Sequence, residues 1–157
     1  MRTADPARPV VDPFDDNYYM RQALREARAA ALADEVPVGA VIACEGRIIA
    51  RGHNQTERLG DVTAHAEMLA ITSAASHLGA KLLTGCTLYV TLEPCPMCAG
   101  ALAWAQVGRV VYGAADERRG FMTLGKRMLH PKTRVEYGVL HEECAALLRE
   151  FFAGKRG

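Results

Sequence analysis

Two cysteines three residues apart, Cys95 and Cys98, place the strongest constraint on how this chain can fold. Pro96 between them favours the first turn of a helix, where side chains at i and i+3 project to the same side. A helix N-terminus also stabilises thiolates. One metal ion can therefore meet both sulfur atoms if the fold brings further ligands to this point. For the pair alone, a redox-active Cys-x-x-Cys motif is the alternative.

His65 and Glu67 supply what the cysteine pair lacks. His65 opens another predicted helix, so His65, Cys95 and Cys98 are expected to form a three-ligand site. By itself, His65 is equally consistent with a core histidine. Three protein ligands with an open fourth position are typical of catalytic zinc, whereas structural zinc usually has four. Glu67 does not share the ligand direction of His65, and we expect it to carry protons as the catalytic residue.

The combination of His-x-Glu with a later Pro-Cys-x-x-Cys is the signature of zinc-dependent nucleobase deaminases, and His65, Glu67, Pro94, Cys95 and Cys98 meet it at every defined position. Zinc lowers the pKa of a bound water molecule towards about 7. Glu67 is expected to accept that proton and return it to a ring nitrogen and the departing amine. The motif therefore predicts one zinc ion per subunit and hydrolytic loss of ammonia.

Secondary-structure signals predict an α/β fold. Asp15 or Asp16 can cap a first helix that runs to about Ala33, and its inward face is expected to consist of Tyr19, Ala23, Ala27, Ala30 and Ala31. A hairpin of strands Gly39–Ala43 and Arg47–Arg51 follows. The later predicted elements are a helix from Ala64 to about Leu78, a strand over 87–91, a helix from Pro96 to about Gln106, strands over 109–112 and 133–139, and a helix over 141–152. This alternation indicates a mixed five-stranded sheet in a three-layer α/β/α sandwich.

Composition restricts the class of protein further. Half of the residues are hydrophobic and 24% are charged, as in globular proteins. The apolar runs are too short to span a membrane, and residues 1–14 form no apolar signal core. We expect a single domain over 15–157 after a loose tail (1–14), located in the cytoplasm. The odd number of cysteines argues against a disulfide framework, so Cys44, Cys86 and Cys144 are expected to be small buried residues.

Charge is unevenly distributed along the chain. The net charge is only +1, which gives no strong indication of a polyanionic partner. Residues 116–134, however, carry six basic and two acidic side chains, a local net charge of +4. Such a segment can attract phosphate groups, but it is equally consistent with a solvated loop.

Over residues 17–152 the chain resembles the bacterial tRNA-specific adenosine deaminases of the cytidine deaminase-like superfamily. The resemblance lies in Val36–Ala40, Thr63–Glu67, Leu88–Ala101, Gly113–Asp116 and a last helix with Phe151 and Phe152. It implies conversion of adenosine to inosine at the wobble position of a tRNA anticodon stem-loop, by a homodimer. A departure from the family follows Asp116, because residues 119–125 and 131–134 recast the loop that helps to grip RNA.

The same resemblance assigns substrate-binding residues. It places Asn54 against the flipped nucleoside, Asp116 beside the ribose-phosphate path, and the backbone around Ala66 and Glu93 along the base pocket. Asn54 is also consistent with a plain turn residue, and Asp116 with a loop residue or helix cap. Six basic residues are expected to contact phosphates: Arg118, Arg119, Lys126, Arg127, Lys155 and Arg156.

Two other functions are compatible with the motifs. A deaminase of a free base or nucleoside, of the guanine or cytosine type, would use the same metal site, although Val36-Pro37-Val38 and the Phe151-Phe152 helix favour the RNA enzyme. A non-catalytic RNA-binding module with structural zinc would need a fourth protein ligand, which the motifs do not offer. The helix that carries Met97, Leu102, Ala103 and Trp104 is expected to contribute either to the core or to a dimer interface.

Overall fold

The computed structural model describes residues 14–155, so residues 1–13 of the predicted tail lie outside the described residues. Helix α1 (Asp16–Leu32) follows Asp15, whose carboxylate accepts a hydrogen bond of 2.8 Å from the backbone N–H of Tyr18. This bond satisfies one of the free donors at the helix start, as the cap prediction required. Four of the five predicted inward residues are buried, whereas Ala31 is only half-buried. Met20 and Leu24, which the prediction missed, complete the buried face.

The described residues form a mixed sheet of five strands. These are β1 (Gly39–Cys44), β2 (Arg47–His53), β3 (Cys86–Leu92), β4 (Arg109–Ala114) and β5 (Arg134–Tyr137), in the order β2-β1-β3-β4-β5. Strand β1 pairs antiparallel with β2 and β3, while β3–β4 and β4–β5 are parallel. The hairpin turns at Glu45 and Gly46, which both have positive φ, as a tight type I′ turn requires.

Helices cover both faces of the sheet and confirm the three-layer prediction. One core joins the sheet to α3 (Ala66–Leu78) and α4 (Pro96–Ala105), and the other joins it to α1 and α5 (His141–Lys155). The prediction missed the short helix α2 (Thr56–Leu59) and two 3₁₀ turns over Phe121–Thr123 and Lys126–Met128. It also made the last strand too long and the last helix too short. Within residues 14–155, no helix is both long and apolar enough to cross a membrane.

A close approach of backbones fixes α1 against β1. A Cβ atom at Gly39 would lie 2.1 Å from the carbonyl oxygen of Ala23 and 2.3 Å from the amide nitrogen of Ala27. Only glycine leaves room for the helix at this point. The hydroxyl oxygen of Thr91 on β3 accepts a hydrogen bond of 3.1 Å from the Gly39 N–H, so this contact also aligns the start of β1 with the end of β3.

The three cysteines outside the metal motif differ in burial. Cys86 and Cys144 are buried as expected, and burial raises the pKa of each thiol to about 12. Cys44, in contrast, is only half-buried, so the prediction of a buried residue is wrong there. Its position explains the difference, because Cys44 ends β1 next to the hairpin turn at the margin of the sheet.

Candidate active site

Two helix starts bring the metal motifs together. His65 is the N-cap of α3 and Cys95 is the N-cap of α4, each with extended backbone angles. The predicted helix start at Ala64 places His65 inside the helix. In the structure His65 instead precedes α3 by one residue. Pro96 is the first residue of α4, and Cys98 is buried in the same turn of the helix. Pro96 fits there because the first helical N–H has no partner within the helix.

The three predicted ligand atoms lie close together in the structure. The Nδ1 atom of His65 lies 3.7 Å from the sulfur of Cys95 and 3.5 Å from that of Cys98. All three atoms lie within 4.8 Å of one another, and among residues 14–155 the group comprises only these three side chains. One nitrogen and two sulfur donors form a set that zinc prefers. The described residues thus form a site with three protein ligands, as catalytic zinc requires, and not a closed structural site.

Hydrogen bonds within the cluster favour a thiolate. A hydrogen bond from Cys98 and another with His65 lower the pKa of the Cys95 thiol to about 4. The same bond from Cys98 to Cys95 raises the pKa of the donor thiol. The hydrogen bond with Cys95 also raises the pKa of His65. Cys95 is therefore ionised at neutral pH, in the form that binds metal ions.

Glu67 is a buried carboxylate next to the ligands. Its side chain lies in the first turn of α3 and is 3% exposed, and its Oε1 atom has no hydrogen-bond partner among the described residues. Desolvation raises the pKa of Glu67 to about 7, and the charges of His65 and Cys95 act on the same carboxyl group. Because a buried polar atom rarely stays unpaired, this oxygen needs a partner that residues 14–155 do not provide. A water molecule or a substrate held at the three-ligand site would provide one.

Asn54 positions the start of α3. Its side-chain oxygen accepts a hydrogen bond of 2.8 Å from the backbone N–H of Ala66. That N–H is therefore already paired, and Ala66 itself is fully buried. The amide nitrogen of Asn54 remains as the donor that this side chain can offer to a ligand. The structure thus brings both predicted substrate residues to the metal site and also gives Asn54 a role within the fold.

Glu93 and Asp116 lie next to each other because the Glu93 side chain binds the backbone of Asp116. The Oε1 atom of Glu93 accepts a hydrogen bond of 3.1 Å from the Asp116 N–H, and its Oε2 atom accepts one of 3.1 Å from the Met122 N–H. In turn, the Oδ1 atom of Asp116 accepts bonds from the N–H groups of Arg118 (3.1 Å) and Arg119 (3.0 Å). Glu93 is buried and Asp116 half-buried. The predicted base pocket uses only the backbone of Glu93, so the bonds from its side chain to the loop are not part of that prediction.

Four of the six predicted phosphate contacts are available for binding. Arg118, Arg119, Lys126 and Arg127 are exposed, and none forms an ion pair within residues 14–155. Lys126 and Arg127 also line a cavity of about 340 Å³ with Leu129, His130 and Pro131. Lys155 instead forms an ion pair of 2.5 Å with Asp34, while Arg156 lies outside the described residues.

Glu35 and Phe121 position the site, and the sequence analysis missed both. The Glu35 carboxylate is buried and accepts bonds from the N–H groups of Glu57 (3.0 Å) and Arg58 (2.8 Å), which fixes α2 between Asn54 and His65. The Phe121 N–H donates to the carbonyl of Pro94 (2.8 Å), and its ring is fully buried. An acid before a Val-Pro-Val strand start and an aromatic residue in a basic loop are the only signals for them in the sequence.

Comparisons with known proteins agree with this geometry. The family model "cytidine and deoxycytidylate deaminase zinc-binding region" matches residues 14–114. The tRNA-specific adenosine deaminase of Agrobacterium fabrum is 46% identical over 144 residues, which cover 88% of this chain and 95% of that protein. A solved structure from a study of A-to-I editing by tRNA:A34 deaminases has a TM-score of 0.79 and 44% identity, covering 83% of this chain and 99% of the other.

A guanine deaminase from Nitrosomonas europaea has a similar fold but is less similar in sequence. Its TM-score is 0.77 at 29% identity, with coverage of 87% of this chain and 84% of that one. Identity and coverage are both higher for the Agrobacterium protein. The chain therefore belongs to the tRNA-specific adenosine deaminases, within the cytidine and deoxycytidylate deaminase family.

Proposed function

We propose that this protein is a zinc-dependent hydrolase that converts adenosine to inosine at the wobble position of a tRNA anticodon. The observation that supports it best is the 46% identity to a tRNA-specific adenosine deaminase over 88% of the chain. The three-ligand cluster and the buried Glu67 carboxylate supply the chemistry that this reaction needs. Water and adenosine would give inosine and ammonia.

His65, Cys95 and Cys98 would hold the zinc ion through Nδ1 and two sulfur atoms. When bound, zinc supplies Lewis acidity, which makes water a usable nucleophile at neutral pH. Glu67 would take a proton from the attacking water at Oε1, the atom without a partner in the fold. It would then return this proton to the adenine ring nitrogen and assist the loss of ammonia. General acid–base catalysis of this kind contributes about 10²–10⁴-fold to a rate.

Substrate contacts would come from residues that the fold already holds rigid. Asn54 would donate from its amide nitrogen to the flipped nucleoside, because its oxygen is bound to the Ala66 N–H. The backbone at Ala66 and Glu93 would line the base pocket. Asp116 would lie beside the ribose and phosphate, since the Glu93 carboxylate ties its loop to the metal motif. A base removed from its stack suits such a pocket, because the reacting carbon must reach the metal site.

Exposed cations would bind the RNA backbone. Arg118, Arg119, Lys126 and Arg127 lie in the loop after β4, without acidic partners in the described part of the chain. Each phosphate that such a residue neutralises releases counterions, so binding would weaken as the salt concentration rises. Lys155 contributes less in this proposal, because Asp34 already pairs with it. Arg156 is proposed on its charge alone.

A second copy of the chain would pack against α4 to form a homodimer. Trp104 is 86% exposed and Met97 is 38% exposed. Because seven residues bring a helix to within about 20° of the same direction, these side chains share one face. Gly100 lies between them, and a Cβ atom there would meet open space. A large exposed tryptophan beside a small residue fits helix packing in an interface better than a role in the core. Among Met97, Leu102, Ala103 and Trp104, only Leu102 is buried.

The test is a substrate panel with the purified zinc-loaded protein. An anticodon stem-loop with the sequence ACG is incubated in parallel with free adenosine, cytidine, cytosine and guanine. The same stem-loop with guanosine at the wobble position serves as the RNA control, and the Glu67→Ala variant serves as the control for contaminating deaminases. Inosine that forms only in the ACG stem-loop would support the proposal.

Turnover of guanine or cytosine with an unchanged stem-loop would refute the RNA substrate and establish the free-base alternative. Zinc is counted in the same preparations by mass spectrometry. A value of one zinc per chain is expected from the single three-ligand group among the described residues.

A further inference from the structure

The carboxylate of Glu93 connects the metal motif to the loop after β4. Glu93 lies two residues before Cys95, and its backbone N–H donates to the Ala114 carbonyl at the end of β4 (2.8 Å). Its two side-chain oxygens bind different points of the following loop, at Asp116 and Met122. At 6% exposure the side chain is almost entirely removed from solvent. Such charge-assisted bonds are among the stronger hydrogen bonds in proteins.

The loop is shaped around this carboxylate. A Cβ atom at Gly120 would lie 1.8 Å from the Oε2 atom of Glu93 and 2.5 Å from the carbonyl oxygen of Asp116. Gly120 donates to that same carbonyl (2.9 Å). Glycine is therefore required here for space, although its φ of −68° is ordinary. The loop closes directly over the Glu93 side chain.

The loop also displays the groups that would meet a substrate. Asp116 orients the backbone of Arg118 and Arg119 through its Oδ1 atom. Phe121 then returns the chain to the Pro94 carbonyl and to the buried core. If the Glu93 bonds are lost, Asp116 and both arginines lose their fixed position relative to the metal ligands, while the ligands keep their own supports in α3 and α4.

We propose that Glu93 is a positioning residue that holds the Asp116–Met122 loop against the metal motif and thereby sets the affinity for RNA. This inference rests on the proposed function, because the loop is taken to contact the RNA. The Glu93 side chain is not part of the three-ligand group, and both of its oxygens are bound to N–H groups of the loop. Its loss is therefore expected to raise KM and to leave zinc binding and kcat nearly unchanged.

The test compares Glu93→Gln with two other variants. Gln keeps one acceptor oxygen but turns an NH₂ group towards a backbone N–H, so one loop bond is lost. Gly120→Ala forces the loop away from an intact Glu93. Asp16→Asn is the matched control, because it also replaces a carboxylate that accepts several hydrogen bonds but lies beside Arg109, at the opposite end of β4 from Ala114.

We expect KM for the stem-loop to rise about tenfold in Glu93→Gln and in Gly120→Ala, the equivalent of one lost charge-assisted bond. The kcat values should stay within about twofold, with one zinc per chain. Trypsin should cut after Arg118 and Arg119 several times faster than in the parent, without any substrate present. Asp16→Asn should match the parent in KM and, at temperatures well below both Tm values, in the rate of this cleavage, because its loop keeps the bonds to Glu93.

Unchanged KM and unchanged trypsin cleavage in Glu93→Gln would overturn the proposal. Loss of zinc, or a fall in kcat at constant KM, would also overturn it, because Glu93 would then act on the metal motif. Failure of the proposed function is a separate outcome, in which the parent itself leaves the stem-loop unchanged. In that case the KM of Glu93→Gln is measured with the substrate that the parent does deaminate. A KM and a rate of trypsin cleavage equal to those of the parent would again refute the role of Glu93.

Discussion

Replacing Asp16 by Asn should lower the free energy of unfolding, because it removes contacts at the end of the sheet opposite the metal site. Asp16 forms a two-pronged ion pair with Arg109, with bonds of 2.9 Å to Oδ1 and 2.7 Å to Oδ2. The Tyr89 hydroxyl also donates to Oδ1 (2.8 Å). These bonds tie the first turn of α1 to the first residue of β4 and to the middle of β3.

The magnitude follows from the bonds and their exposure. A hydrogen bond to a charged group contributes about 1.5–3 kcal/mol, and Asn, which keeps one acceptor oxygen, loses the bond at the other position. The Asp16 side chain is 32% exposed and Arg109 is 15% exposed, so solvent screens part of the interaction. Arg109 also keeps its ion pair with Glu136 (2.7 Å) and is not left unpaired in the variant. We therefore expect a loss of about 1–2 kcal/mol, or a Tm lower by about 3–6 °C.

The effect should depend on pH in one direction. The hydrogen bond from Arg109 lowers the pKa of Asp16 below its ordinary value of 3.8. A carboxyl group whose pKa is lower in the folded state stabilises the fold fully above its unfolded pKa, and this contribution is lost as the pH falls through the folded value. The difference between parent and variant should be constant from about pH 8 to 5 and should shrink below pH 3.8.

Urea denaturation at pH 7, 5 and 3, followed by circular dichroism, measures this difference. Asp34→Asn is the control, because it removes the carboxylate of a surface ion pair in which Asp34 is 74% exposed, and no measurable change is expected there. An equal loss of stability at pH 3 and pH 7 would refute the electrostatic argument. A loss in the control as large as in Asp16→Asn would refute the role assigned to burial.

Three further predictions concern the site and the assembly. Glu67→Ala should keep one zinc per chain and lose at least about 10²-fold in kcat, since Glu67 is no ligand; loss of zinc would contradict its role. Cys98→Ala should lose stoichiometric zinc after dialysis, measured by mass spectrometry, because two ligands remain; full retention would exclude Cys98 as a ligand. Trp104→Glu should sediment as a monomer at concentrations at which the parent forms the proposed dimer, because a charge would be buried in the proposed interface. A dimeric variant would place the interface elsewhere than on α4.

The metal ligands could be predicted because their signals are local. Pro96 and the three-residue spacing fix both cysteines at a helix start, and the structure shows that arrangement. Strand positions followed equally from short apolar runs between turn residues. The start of α3 was placed two residues early, because His65 adopts extended angles that no property of its neighbours indicates.

The supports of the site could not be predicted, because they join residues that are far apart in the sequence. Glu93 binds backbone groups 23 and 29 residues away, and Asp16 meets Arg109 across 93 residues. The side-chain types alone do not distinguish such contacts from solvent-exposed charges. The exposure of Trp104 could not be predicted for a different reason. Helix α4 is apolar on every side, so its sequence does not show which face is exposed.

The positions of the ligands along the chain also limit when the metal site can assemble during synthesis. Strand β1 lies between β2 and β3, so the local β1–β2 hairpin can close early while the other edge of β1 waits for β3. His65 emerges from the ribosome 33 residues before Cys98, an interval of about 2–7 s at ordinary elongation rates. The complete set of zinc ligands is therefore available only after β3 and Cys98 have been synthesised. An incomplete chain presents His65 without its sulfur partners, and stable zinc binding reports that synthesis has passed residue 98.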